Sequence, residues 1–261
     1  MIILCSKSQP FNYAISAKSL GMGDATVAFC DHWSIFNNVG GFSRSKSVVS
    51  LFSIYNRFNV SELSSLNAGL IYPVGAFNLG MTVNRFGDRL HHQNQVGLAI
   101  GHTLGNTGLG LKVNYLVFNT EGYGSRGYLI VEAGSVTALT PQLSVGMYAF
   151  NINLAAFGGP ADNRLPVLFR VGISYEPISV FVLNAEVEKT LLFTTTTKIG
   201  LLYRVKEKFN ITSGIQTNPF NYNFGAGFDT GKLEIGYAIT GHSALGISHL
   251  LSVSYELKPE R

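Results

Sequence analysis

Charge is what this sequence has least of. Asp, Glu, Lys and Arg make up 13% of its 261 residues, against about 25% in an ordinary soluble domain. The 19 Lys and Arg are dispersed, without a basic block or basic helix, despite a net charge of +4. A nucleic-acid partner therefore has no support. Long apolar runs are also missing. Mean hydropathy is +0.21, yet no run of 18 apolar residues occurs, which excludes transmembrane helices. The only cysteines are Cys5 and Cys30, and no Cys/His spacing suits zinc. His91 and His92 are adjacent and would face opposite ways on a strand, while the other four histidines are isolated. No Gly-x-Ser-x-Gly elbow is present. The expectation is a non-enzyme with no catalytic residues, no metal and no cofactor.

What the sequence has is glycine (29), phenylalanine (18) and tyrosine (12). Such a chain, apolar but without spanning helices, suits a large β-sandwich or a barrel whose apolar face meets lipid. Period-two alternation recurs from about residue 46 onward, as in Phe77-Asn78-Leu79-Gly80-Met81-Thr82-Val83-Asn84. One face of the strands carries Phe, Leu, Met, Val, Ile and Tyr. The other carries Lys112, Glu186, Glu188, Lys198, Arg204, Glu234 and Glu256. Lipid enforces such sorting, because Lys or Arg at the bilayer midplane costs roughly 2–4 kcal/mol.

The pattern divides into fourteen strands, the first at 46–58, the seventh at 142–154 and the last at 246–257. Most run to about 9–14 residues; crossing strands need about 9–11, and soluble ones average about 5–6. Tight Gly, Pro, Asn and Asp turns alternate with longer connections, the longest containing Gly158 to Asn163. An all-β transmembrane antiparallel barrel is the expected fold. Residues 1–9 read as a signal-peptide remnant, 10–45 as a hatch in the lumen and 46–261 as the barrel. Within 10–45, Asp24 to Cys30 suits a short strand and Asp31 to Phe36 a turn of helix.

Several residues invite chemistry and have plainer readings. Glu186 and Glu188 share one face of a strand. With Arg170 on the strand before and Lys198 on the strand after, they suit a lumenal ion-pair ladder better than acid–base catalysis. Gly108, Gly110, Gly225, Gly227 and Gly236 precede no helix, so they are not phosphate loops. They suit the close approach of a hatch or of neighbouring side chains. Tyr72, Tyr115, Tyr175, Tyr203, Tyr237 and Tyr255 fall on the outward face as interface residues. Trp33, the single tryptophan, suits packing in the barrel mouth.

Gly21-Met22-Gly23-Asp24, followed by Asp31, Trp33 and Asn37-Asn38-Val39-Gly40, resembles the N-terminal segment of PorV/PorQ-like and FadL-like outer-membrane barrels. Asn38 and Val39 stand where those families usually have Pro-Ala. The resemblance implies an outer-membrane barrel of about fourteen strands with an N-terminal hatch. It also implies one of two roles. One is an accessory subunit of a protein export or assembly complex, with other outer-membrane proteins as partners. The other is a conduit for hydrophobic small molecules. The short outside loops favour the first. The candidate sites are the hatch positions above and a charge ladder of Lys112, Arg170, Glu186, Glu188, Lys198, Arg204 and Glu234.

Overall fold

The alternating segments form fourteen antiparallel strands in the computed structural model, which describes residues 14–156, 165–191, 194–206, 208–242 and 245–257. In chain order they are β1 (Val48–Asn56), β2 (Ser64–Val74), β3 (Phe77–Gly87), β4 (His91–Leu104), β5 (Thr107–Thr120), β6 (Gly124–Ala138) and β7 (Leu143–Phe150). They continue as β8 (Leu168–Ile178), β9 (Phe181–Thr190), β10 (Thr196–Val205), β11 (Phe209–Gln216), β12 (Asn221–Asp229), β13 (Leu233–His242) and β14 (Gly246–Leu257). Each strand pairs with its chain neighbours, and β1 closes on β14 from Val48↔Leu257 to Asn56↔His249. Closure leaves no open sheet edge, as hydrocarbon requires. The expected leader at 1–9 and the loop tip at 158–163 lie outside the described residues.

The sorting of side chains identifies the solvent. Along β3, Phe77, Leu79, Met81 and Val83 are 42–47% exposed, while Asn78 and Thr82 are buried toward the lumen. The same parity holds around the ring, and the resulting apolar wall far exceeds the patches that water-soluble monomers tolerate. All six expected outward tyrosines are exposed on this wall. Tyr72, Tyr175, Tyr203 and Tyr255 lie close to the end of the barrel that carries the tight turns. Tyr237 and Tyr115 lie farther along. The Tyr237 hydroxyl shares a 2.6 Å hydrogen bond with His249 Nδ1, which gives an outward imidazole a partner.

The two ends differ. At the turn end, Gly75 (φ +58°) and Gly105 (φ +57°) sit in two-residue hairpin turns. At the other, the loop end, the long connection spans 151–167 between β7 and β8. The seventh strand is shorter than the expected 142–154. It stops at Phe150 because Asn151 turns to φ +58°. The Asn151 side chain then accepts from Ala155 N at 2.8 Å and donates to Leu165 O at 3.0 Å. These bonds, with Leu165 N donating to Ala155 O at 3.2 Å, tie the two ends of the connection together.

Residues 14–45 run inside the ring as α1 (Ala17–Gly21), α2 (Ser34–Asn37) and a 3-10 turn at Gly41–Arg44. The short strand expected over Asp24 to Cys30 does not form. Asp24 takes φ +59°, and the amides that follow bond a wall carboxylate rather than another strand. The helical turn expected from Asp31 appears as α2, and α1 is additional. Trp33, Ile35, Phe36, Val39 and Phe42 form one apolar cluster with wall residues Val49, Leu51, Ile71 and Ala99.

Candidate functional site

The lumenal segment is built around two left-handed residues in succession, Gly23 (φ +64°) and Asp24 (φ +59°). Before them, Ser16 caps α1 by accepting from Ser19 N at 3.0 Å, and Ala17 N donates to Ser252 Oγ at 2.9 Å. Met22 is fully buried beside Val182 and Leu202. A Cβ at Gly200 or Gly214 would collide with Met22, so those wall positions must be small. Likewise Gly108 and Gly110 admit Gly40 and Val39, Gly236 admits Ala17, and a Cβ at Gly225 would first meet Thr212 of the neighbouring strand. Gly227 faces Asn210 of the neighbouring strand instead.

The reversal at Gly23–Asp24 aims the Asp24 carboxylate at β8–β10, where cross-strand register assembles four charges. Arg170 lies opposite Glu188, and Lys198 opposite Glu186. Lys198 Nζ is 2.7 Å from Glu188 Oε2, 2.9 Å from Asp24 Oδ2 and 3.2 Å from Glu186 Oε1. Arg170 reaches Asp24 at 3.2 Å, Glu188 at 3.2 Å and Glu186 at 3.5 Å. The other Glu186 oxygen accepts from Thr26 N at 2.9 Å and Val27 N at 2.8 Å. Five charged groups therefore clamp the lumenal segment to the wall. Desolvation erodes much of the attraction in such a cluster. Removing one member is nevertheless costly, because a buried charge is left unpaired.

The hatch positions and the charge ladder, separate in the sequence, thus meet at Asp24. The other hatch residues act along the same segment. Asn37 Nδ2 donates to Ser19 Oγ at 2.8 Å, closing α2 onto α1. Asn38 Nδ2 donates to Val27 O at 2.6 Å, Ser135 O at 3.0 Å and Met147 O at 3.1 Å. Its Oδ1 accepts from Gly40 N at 3.0 Å, and Gly40 lies against the Ser135 backbone. Asn38 is therefore a hub between segment and wall. Asp31 and Ser34 bond each other at the start of α2. Trp33 packs beside Phe36 with ring centroids 6.1 Å apart.

The remaining ladder residues lie elsewhere. Lys112 is 3.9 Å from Glu132, donates to Ile35 O at 3.3 Å and sits over the Phe36 ring. Arg204 pairs with Glu176 at 2.7 Å at the turn end, both side chains well exposed (37% and 41%). Glu234 pairs with Lys18 at 2.7 Å. Several lumenal groups had no place in the sequence reading. Glu132 accepts from Asn114 at 2.6 Å, and Asn114 in turn accepts from Gln95 at 2.8 Å. Tyr148 lies under the Arg170 guanidinium. Their signal was strand parity, which puts all four on the inward face. Among the described residues no group of three His, Cys, Asp or Glu side chains suits a metal.

The lumen is not uniformly polar. At the loop ends of β5–β8, the inward residues Leu116, Phe118, Tyr128, Ile130, Phe150 and Leu168 form an apolar sector. It runs down to Val27, whose amide is held by Glu186, and to Ala28 next to it. The opposite side of the loop end is a polar vestibule of about 600 Å³, floored by Asp24, Glu188 and Lys198. Beside the apolar sector the wall is uneven. Strand β6 pairs with β7 only over Glu132–Ala138. Beyond that, Val131 bonds Ile152 N and the Asn153 side chain rather than a strand.

No family model matches this chain, and no curated protein does either. Solved structures do match in fold. A FadL homologue from Pseudomonas aeruginosa superposes with a TM-score of 0.70 at 11% identity, over 95% of this chain and 99% of that one. The P. putida toluene transporter TodX gives 0.70 at 10% identity, over 96% and 100%. A TodX deltaS2S3 mutant, a monoaromatic hydrocarbon channel, gives 0.65 at 10% identity, over 93% and 98%. The chain therefore has the FadL-type fold, a closed fourteen-stranded antiparallel barrel.

Proposed function

We propose that this chain is a bacterial outer-membrane barrel that conducts hydrophobic small molecules, with residues 14–45 as its gate. The turn end then faces the periplasm and the loop end the exterior, as in outer-membrane barrels generally. The observation that carries the reading is the apolar sector of Leu116, Phe118, Ile130 and Phe150. These side chains are packed against Leu165, Val27 and Ala28, an apolar path that suits an apolar solute once the segment moves aside. It begins at the outer rim, passes the stretch of β6 without a β7 partner and ends at the clamped gate. Likeness in fold to a toluene transporter and a monoaromatic hydrocarbon channel supports the same reading. An accessory subunit of an export complex, the reading favoured by the short loops, has no need of an apolar lumenal sector.

The test is uptake by a Gram-negative host that lacks conduits of its own for the solute. Expression of the chain is expected to raise uptake of radiolabelled toluene several-fold and leave lactose unchanged. Ile130→Asp, inserted at the same level, is expected to abolish the gain. No gain in toluene uptake with the barrel present in the outer membrane would refute the conduit. Copurification of a stoichiometric outer-membrane protein under mild detergent would then favour the subunit.

A further inference from the structure

Near the turn end the outer wall is indented by a groove of about 650 Å³, within the roughly 300–1,000 Å³ range of small-ligand sites. Register explains it. One row of outward residues runs Leu111↔Ala133↔Ala149↔Phe169, and the row nearer the turns runs Leu109↔Ser135↔Met147. In the first row small side chains on β6 and β7 lie between large ones on β5 and β8; in the second only Ser135 is small. The groove extends to Phe77 and His102, whose rings are 4.9 Å apart at the start of β3.

Phe77 also lines a second cavity, of about 630 Å³, at the turn-end mouth. Arg44 and Lys46 line that cavity beside the Gly75 and Gly105 turns. Arg44 Nη2 donates to Asn106 O at 2.6 Å, which fixes the guanidinium at the rim. Among the described residues neither Arg44 nor Lys46 has a carboxylate at ion-pair distance. The apolar groove on the wall and the cavity lined by Arg44 and Lys46 thus adjoin at Phe77, which lines both.

We infer that the two cavities together bind one anionic glycerophospholipid of the leaflet at the turn end. An acyl chain lies over Ala133, Ser135 and Ala149, and the phosphate meets Arg44 and Lys46. Continuity at Phe77 and charge complementarity carry the assignment. A neighbouring barrel would fill the groove but leave the cations unmatched. An apolar solute has no group for them. Phosphate accepts charge-assisted hydrogen bonds from both, and basic groups at a membrane surface favour anionic lipid. This site is separate from the lumen and does not depend on the proposed transport role.

Native mass spectrometry of the full chain, released from nanodiscs of mixed phosphatidylglycerol and phosphatidylcholine, tests the inference. The wild type is expected to retain one phosphatidylglycerol, preferred by roughly fivefold per cation. Arg44→Gln with Lys46→Gln is expected to erase the preference without abolishing retention, and Arg44→Lys to keep it. Ala133→Phe is expected to lose retention of both lipids, with heat-modifiable gel mobility confirming a folded barrel. Equal retention of the two lipids by the wild type would overturn the inference. So would unchanged retention in Ala133→Phe, or a second copy of the chain retained in place of lipid.

Discussion

Replacing Lys198 by Met perturbs the clamp at its centre. The ammonium lies within 3.2 Å of three carboxylates, those of Asp24, Glu186 and Glu188. Without it Arg170 alone faces three acids in a buried site, and removal of one member of such a cluster costs about 3–5 kcal/mol. The barrel itself need not yield, because β9 and β10 remain paired from Thr196↔Glu188 to Tyr203↔Phe181. The segment after Asp24 is the weaker element. Its Thr26 and Val27 amides bond Glu186 alone on the wall, and they report directly on release. At a tenfold change per 1.4 kcal/mol, their exchange is expected to speed up by roughly two to four orders of magnitude. Hydrogen-exchange mass spectrometry of the peptide covering 24–28, in micelles, reads this. Arg204→Met is the control. Its pair with Glu176 is well exposed, worth no more than about 1 kcal/mol, and it lies away from the clamp. If Lys198→Met leaves exchange at 24–28 within a factor of ten of wild type, or Arg204→Met matches its effect, the clamp does not hold the segment.

Other substitutions test other parts of the account. Leu98 is 64% exposed near the middle of β4, so Leu98→Lys is expected to destabilise the barrel by about 2–4 kcal/mol in reversible unfolding into lipid. A Cβ at Gly146 would meet the Val27 carbonyl; Gly146→Val is expected to cost about 1–3 kcal/mol, raising exchange at 24–28 while leaving the barrel's gel mobility unchanged. Burial pushes the Cys30 thiol up to about 11, because the thiolate is the form that burial penalises. In a Cys5→Ser background, alkylation of Cys30 is expected to stay slow at pH 8 and rise steeply toward pH 11. Fast alkylation at pH 8 would show that the thiol is in water.

The barrel was legible because lipid imposes one rule along every strand, and parity alone recovers it. Arg170, Glu186, Glu188 and Lys198 were legible as neighbours for a related reason, since tight connections fix which residues face each other. Asp24 was not legible as their fifth member. Its approach depends on the path of the lumenal segment, which no local pattern encodes. Arg204 shows where parity stops being informative: at the last turn of a strand the inward direction already leads to water. The apolar sector was present in the sequence as inward-phase Leu116, Phe118, Ile130 and Phe150. The early end of β7 was hidden in Asn151, a residue as common in strand-end loops as in left-handed turns.

Collision accessibility of spin labels along β2 tests the central arrangement most directly. Labels at Leu66 and Leu70, on the outer wall, are expected to meet oxygen readily and a polar nickel chelate hardly at all. Labels at Ser65 and Asn67, in the lumen, are expected to show low oxygen contact. Equal values at odd and even positions, or strong chelate contact at Leu66 and Leu70, would contradict a wall of apolar side chains turned toward lipid.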